Sequence, residues 1–138
     1  MTGTYRHVID QKGRLFIPAK LRDELGDSFY VTKEVDNCLV VYPQDVWTEI
    51  EEKIAALPRS KARSLQRMIF GSAEKCEPDS QGRIVIPLPL REYAGLEKDV
   101  AIIGLSNRAE IWDAEKWDAI NEEYTAESLE EAMEILGI

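Results

Sequence analysis

Two short runs rich in aromatic and β-branched residues near the start of the chain, residues 5–9 and 14–17, separated by a polar stretch with a glycine, predict two short strands. Residues 10–13 between them read as a turn, with Gly13 free to take a positive φ. Pro18 ends the second strand and suits the first turn of a short helix over residues 19–25, which Gly26 stops. Residues 29–35 and 38–42 form a hairpin across Asp36-Asn37, a favoured two-residue turn pair. The apolar spacing then becomes that of a helix. From Pro43 to Leu57, the residues Trp47, Ile50, Ile54 and Leu57 share one face, and Pro58 breaks the run. Ser60 is placed to cap a second helix that reaches Phe70 and closes at Gly71.

This plan occurs twice. Asp10-Gln11-Lys12-Gly13-Arg14-Leu15-Phe16-Ile17-Pro18 returns, 69 positions on, as Asp79-Ser80-Gln81-Gly82-Arg83-Ile84-Val85-Ile86-Pro87. Leu21-Arg22 matches Leu90-Arg91, and further along Val41-Tyr42 and Trp47 match Ile111-Trp112 and Trp117 at an offset of 70. An echo in register at both ends reads as an internal duplication. The second copy repeats the hairpin, with residues 100–104 and 109–112 turning at Ser106-Asn107. Asp113 then caps a helix through Tyr124, and Thr125 caps a last one with Leu129, Ala132, Met133 and Leu136 on one face, a stripe that suits packing within or between subunits. The chain thus divides into a first module at 5–48, a helical connector at 49–74, a second module at 75–118 and an acidic C-terminal helix at 119–138. One such module buries little core alone, whereas two packed together close a shared sheet and remove its edges. The expected class is α+β, mainly β.

Charge refines the picture. The 138-residue chain carries a net charge of −9, which by itself argues against a polyanionic partner. Its distribution argues otherwise. Residues 1–22 hold Arg6, Lys12, Arg14, Lys20 and Arg22 against Asp10 alone, while residues 113–138 hold nine acids against Lys116. A basic end able to hold phosphate is set apart from an acidic end that phosphate would repel. A further basic stretch, Arg59, Lys61, Arg63 and Arg67, reads as a solvated helix face or as partners for Glu49, Glu51 and Glu52. No apolar run is long enough for a membrane span and the N-terminus lacks the apolar core of a secretory signal, so a cytoplasmic location is expected. Cys38 and Cys76 form no CxxC pair and His7 is the only histidine, too few ligands for a metal site. No HExxH, GxSxG or phosphate-binding glycine loop occurs, and His7 has no nucleophile beside it. No enzyme, no cofactor and no small-molecule substrate are expected.

The doubled D-x-x-G-R motif is the candidate site. Asp10 and Arg14 bracket a glycine turn, as Asp79 and Arg83 do, and repetition suits a turn-bracing role for Asp10, Gly13, Asp79, Gly82 and Arg83. Arg14 and Lys12 also project from a hairpin tip, and arginine recognises phosphate and base edges through paired hydrogen bonds. The copies differ at the basic positions: Lys12 becomes Gln81, Lys20 falls at Leu88-Pro89, and Arg6 becomes Lys75 flanked by Glu74 and Glu77. The first copy is therefore the one equipped for double-stranded DNA, through Lys12 and Arg14 with Arg6, Lys20 and Arg22 as further candidates, and the second reads as scaffold.

The run from Tyr5 through Arg22 resembles the N-terminal signature of the MraZ family, within the AbrB-like superfamily, and Cys76 through Leu96 followed by Glu110-Ile111-Trp112 resembles its second half. The resemblance spans nearly the whole chain. It implies tandem AbrB-type swapped-hairpin modules in an intramolecular pseudo-dimeric barrel, assembled into ring-shaped homo-oligomers. It implies a nucleoid-associated transcriptional regulator, a repressor of the division and cell wall gene cluster that includes its own gene, bound to short repeated promoter boxes. The competing reading is a ring-forming scaffold that holds a protein partner through its acidic C-terminal helices. The unequal charge of the two copies favours DNA.

Overall fold

The short strands of each copy cannot bury an apolar face alone, and the fold answers this by crossing them between copies. The computed structural model describes all 138 residues. Copy one supplies β1 (Thr4–Val8), β2 (Arg14–Phe16), α1 (Ala19–Leu25), β3 (Phe29–Glu34) and β4 (Cys38–Pro43), and α2 (Gln44–Ala55) and α3 (Arg59–Leu65) follow. Copy two supplies β5 (Glu74–Cys76), β6 (Arg83–Val85), α4 (Leu88–Ala94), β7 (Asp99–Gly104) and β8 (Ala109–Asp113), then α5 (Ala114–Glu122) and α6 (Ala126–Leu136). A six-stranded antiparallel sheet runs in the order β1-β7-β8-β4-β3-β5, and β2 pairs with β6 in a separate two-stranded ribbon. The first two strands of each module therefore pair only with strands of the other module.

The pairing has an internal dyad. Leu15 faces Ile84, its own counterpart, at the centre of the ribbon. Val40 faces Glu110, again its counterpart, where β4 meets β8. The swapped, duplicated α+β architecture is as the sequence and the resemblance imply. The closed barrel is not: β1 and β5 are the free edges of the large sheet, and the ribbon stands apart from it. The physical reason lies in the loops Asp10–Gly13 and Asp79–Gly82, which turn β2 and β6 out of the large sheet to pair with each other.

Alternation along the strands sorts side chains into two cores. Val31, Leu39, Val41, Val100, Ile102 and Ile111 face the ribbon and pack with Leu15, Ile84, Leu21 and Leu90 in a cluster of 20 buried residues. The opposite face carries Ala101, Ile103 and Trp112, covered by Trp117 and Ile120 of α5, and Tyr30, on which Trp47 of α2 stacks at 4.4 Å. The molecule is layered: ribbon with α1 and α4, then sheet, then α2, α3 and α5. Asp36 and Asn37 both take positive φ, as a tight right-twisting hairpin requires. Asp113 caps α5 and Thr125 caps α6 as expected. Ser60 does not cap α3; Pro58 flanks the helix instead, its carbonyl accepting from Lys61 and Ala62. Residues Gln66–Phe70 continue α3 as a π-helical turn, and the Thr32 hydroxyl donates to the Ile69 carbonyl at 2.7 Å, tying that turn to the sheet.

Cys38 and Cys76 are free and buried. Burial pushes both thiols up, Cys76 to about 12, with nearby carboxylates acting in the same direction. Thiolate is the reactive form, so neither cysteine should react with a maleimide at neutral pH until the chain unfolds. Mass spectrometry with and without denaturant checks this; rapid native labelling would contradict the packing.

Candidate nucleic-acid interface

The two motif loops are built alike. The Asp10 carboxylate accepts from the backbone N–H groups of Lys12 and Arg14 at 3.0 and 2.9 Å, and its second oxygen accepts from Arg14 Nε at 2.6 Å. Asp79 does the same with Gln81, Arg83 and Arg83 Nε at 2.9, 2.9 and 3.0 Å. Both carboxyls are held below the usual carboxylate range, chiefly by the backbone N–H of the motif arginine. A carboxyl lowered in the folded state contributes stability that is complete above its unfolded pKa, about 3.9, and is lost as pH falls through the folded value. Wild-type stability should therefore fall as pH drops from about 5 towards 2. The double variant Asp10→Asn, Asp79→Asn should fall less steeply over that window, and equal slopes in thermal melts would rule out these loops as the acid-sensitive element.

Glycine is required at the loop ends. Gly13 and Gly82 have φ of 84° and 78°. A Cβ on Gly13 would sit 2.5 Å from the Ile86 carbonyl oxygen, and one on Gly82 would meet the Arg22 guanidinium at 2.8 Å. The close approach comes from the swap, since Ile86 N donates to Gly13 O and Ile17 N to Gly82 O.

Register fixes what the ribbon shows to solvent. Leu15 and Ile84 point inward and are buried. Arg14, Phe16, Arg83 and Val85 occupy the alternate positions and share the outer face, Arg14 opposite Val85 and Phe16 opposite Arg83. Arg14 and Arg83 are thus diagonal neighbours, roughly 7–8 Å apart in such a pairing. Their side chains are 38% and 33% exposed, so each guanidinium is braced through Nε and still reaches water.

The five basic candidates separate on this framework. Lys12 is exposed at the tip of the first loop and Lys20 is exposed in the first turn of α1, directly beyond β2. Lys12 borders the end of the face that carries Arg14, and Lys20 follows β2 at the other end, on the side of Arg83 and Gly82. Arg22 is half-buried: its Nε donates to the Ile17 carbonyl at 2.7 Å and its guanidinium lies over the Phe16 ring, 5.4 Å from the centroid. Arg91 repeats the first contact with Ile86 at 2.9 Å and packs against Gly13. These two arginines brace the crossing of the modules. Arg6 is not brought to the face. On β1, Tyr5 packs against the main core and His7 stacks on Phe16 at 5.1 Å, so Arg6 projects from the other side. There it forms an ion pair with Asp118 of α5 at 2.5 Å.

Arg83 braces its loop as the sequence implies, and the register also sets it on the outer face beside Arg14. The signal for the second was present, because equivalent positions on two antiparallel strands related by a dyad fall on the same face. α5 lies across the sheet from the ribbon, about 20 Å away for two stacked layers. That is more than twice the Debye length of about 8 Å at physiological salt, so the acids of α5 do not cancel the ribbon's positive charge.

Swapped hairpins about an internal dyad, with an arginine loop at each crossing, define a duplicated swapped-hairpin protein. Residues 1–68 and 69–136 each match the family model described as "MraZ protein", antitoxin-like. The chain belongs to the MraZ family. Among its relatives is the transcriptional regulator MraZ of Heliobacterium modesticaldum, 54% identical over 136 residues, 97% of this chain and 94% of the relative. Those of Desulforamulus reducens and Halothermothrix orenii, named in the same words, are 52% and 49% identical and span 86% and 99% of this chain and 85% and 98% of their own lengths.

Proposed function

We propose that this chain is a DNA-binding transcriptional regulator that sets the outer face of its β2–β6 ribbon against double-stranded DNA. The observation that carries the reading is the pair Arg14 and Arg83, fixed by their aspartates on one exposed face, with Lys12 at its Arg14 end and Lys20 beyond its Arg83 end, both from the first copy. A two-stranded ribbon is narrow enough for the major groove, where arginine is suited to guanine edges and lysine to phosphate. Arg22 borders the face and holds it in shape; Arg6 has no part in the contact.

The finer reading is the one that the sequence resemblance implies. The regulator is nucleoid-associated in the cytoplasm, binds short repeated promoter boxes ahead of the division and cell wall gene cluster and its own gene, and represses them as a ring-shaped homo-oligomer. Several weak ribbons held in one assembly would engage repeated boxes together, and avidity would multiply modest affinities. Fluorescence anisotropy with the DNA upstream of the chain's own gene tests the reading. Binding should tighten with the number of boxes and weaken steeply with salt, because phosphate contacts release counterions. No binding at low salt overturns it.

A further inference from the structure

Two apolar surfaces of this chain face nothing. The first is α6. It is well formed, with a Thr125–Ser128 capping box and a left-handed Gly137 stop, yet none of its residues is buried. Leu129, Met133 and Leu136, spaced on one face, are 60%, 42% and 70% exposed. An eleven-residue helix of this kind is marginal without a partner for its stripe. The second is a groove of about 530 Å³ on the helical side of the sheet, lined by Thr32, Tyr42, Ile50, Leu65, Met68 and Ile69. Met68 is 57% exposed there and Val35, at one end, 71%.

Charge matches the two surfaces. α3 and its π-helical turn carry Arg59, Lys61, Arg63 and Arg67 and no acid, and none of these cations is in an ion pair, with Glu49, Glu51 and Glu52 or any other residue. The groove's own lining carries one charge of each sign, Lys33, which lies over the Tyr93 ring, and Glu34. α6 carries Glu127, Glu130, Glu131 and Glu134 and no cation, again without an ion pair. The helical segment with only positive charge borders the empty groove, and the helix with only negative charge bears the uncovered stripe. Sizes agree as well: α6 is about 16 Å long at 1.5 Å per residue, close to the α2 helix that forms one wall.

We propose that α6 of one copy seats Leu129, Met133 and Leu136 in the groove of a second copy, with its carboxylates beside α3. Donor and acceptor are different surfaces, so the contact is heterologous and repeats from copy to copy until it closes. The inference rests on the oligomeric part of the proposed function and names its joint.

Light scattering after gel filtration of the full chain tests it. Wild type should exceed the monomer mass. The double variant Leu129→Asp, Met133→Asp and the single variant Met68→Asp should each run as monomers with unchanged far-UV circular dichroism, since all three side chains are already in water. If aspartate disturbs the fold, a chain ended at residue 125 gives the same reading. Mixed in equal amounts, the two variants should form a dimer and nothing larger, because one sound α6 and one sound groove remain between them. An α6 variant that keeps the wild-type mass overturns this joint and leaves the ring standing. Monomeric variants whose mixture gives no dimer overturn it too. A wild type that is monomeric at every concentration removes the ring itself, and the joint with it.

Discussion

Replacing Gly13 with valine is expected to cost about 4 kcal/mol or more of folding stability, a large part of the roughly 5–15 kcal/mol that holds an ordinary domain together. Two penalties combine. A β-branched residue held at positive φ carries about 1–3 kcal/mol of backbone strain. The added Cβ would also lie 2.5 Å from the Ile86 carbonyl oxygen, so the ribbon must part and the Ile86 N–H to Gly13 O bond is lost, at about 1–3 kcal/mol for a buried group left unpaired. Gly82→Val carries the same strain but meets the Arg22 guanidinium, a side-chain end that can swing aside. Urea unfolding should rank Gly13→Val as the more damaging of the two. A reversed order would mean that the crossing of the modules is not what fixes this glycine.

Arg14→Ala should weaken binding to the chain's own upstream DNA by about 10- to 100-fold, the effect of losing a paired base contact worth about 1–3 kcal/mol. Lys12→Ala should weaken it more evenly across sequences and reduce the slope against log salt by about 1, as expected for one phosphate contact. Gln81→Lys, which gives the second copy the cation it lacks, should strengthen binding. Arg6→Ala should leave it unchanged, since Arg6 is on the far side of β1 and paired with Asp118. Anisotropy titrations at two salt concentrations, with circular dichroism to check folding, decide the matter. Equal losses for Arg6→Ala and Arg14→Ala would falsify the ribbon-face assignment.

Much of this fold is written locally. The D-x-x-G-R loops, the Asp36-Asn37 turn and the caps at Asp113 and Thr125 each rest on a short-range hydrogen bond or a favoured φ, and each stands where the residues place it. What escaped local reading is non-local. Nothing in residues 5–17 says which copy their strands will pair with, or that the sheet stays open at β1 and β5. The π-helical turn depends on the Thr32–Ile69 bond across 37 positions and left no local mark. The site divides in the same way. Lys12 and Arg14 stood out by charge, but the face of Arg6 followed from alternation with the buried Ile9 and was overlooked. Arg22 has a useful signature in hindsight: it is repeated as Arg91, and both copies need it to hold a strand carbonyl. Lys12 and Lys20 have no basic twin, and both are exposed.

The dyad through Leu15 and Ile84 relates two halves that are no longer the same. A dimer of identical chains favours an inverted, palindromic site, since each half must read what the other reads. Joining the halves in one polypeptide lifts that demand. With Lys12 on one side and Gln81 on the other, the ribbon has a head and a tail, and its preferred DNA acquires a direction. Under the proposed function such a reader suits direct repeats, all pointing the same way, and reversing a single box within an array should remove that box's contribution.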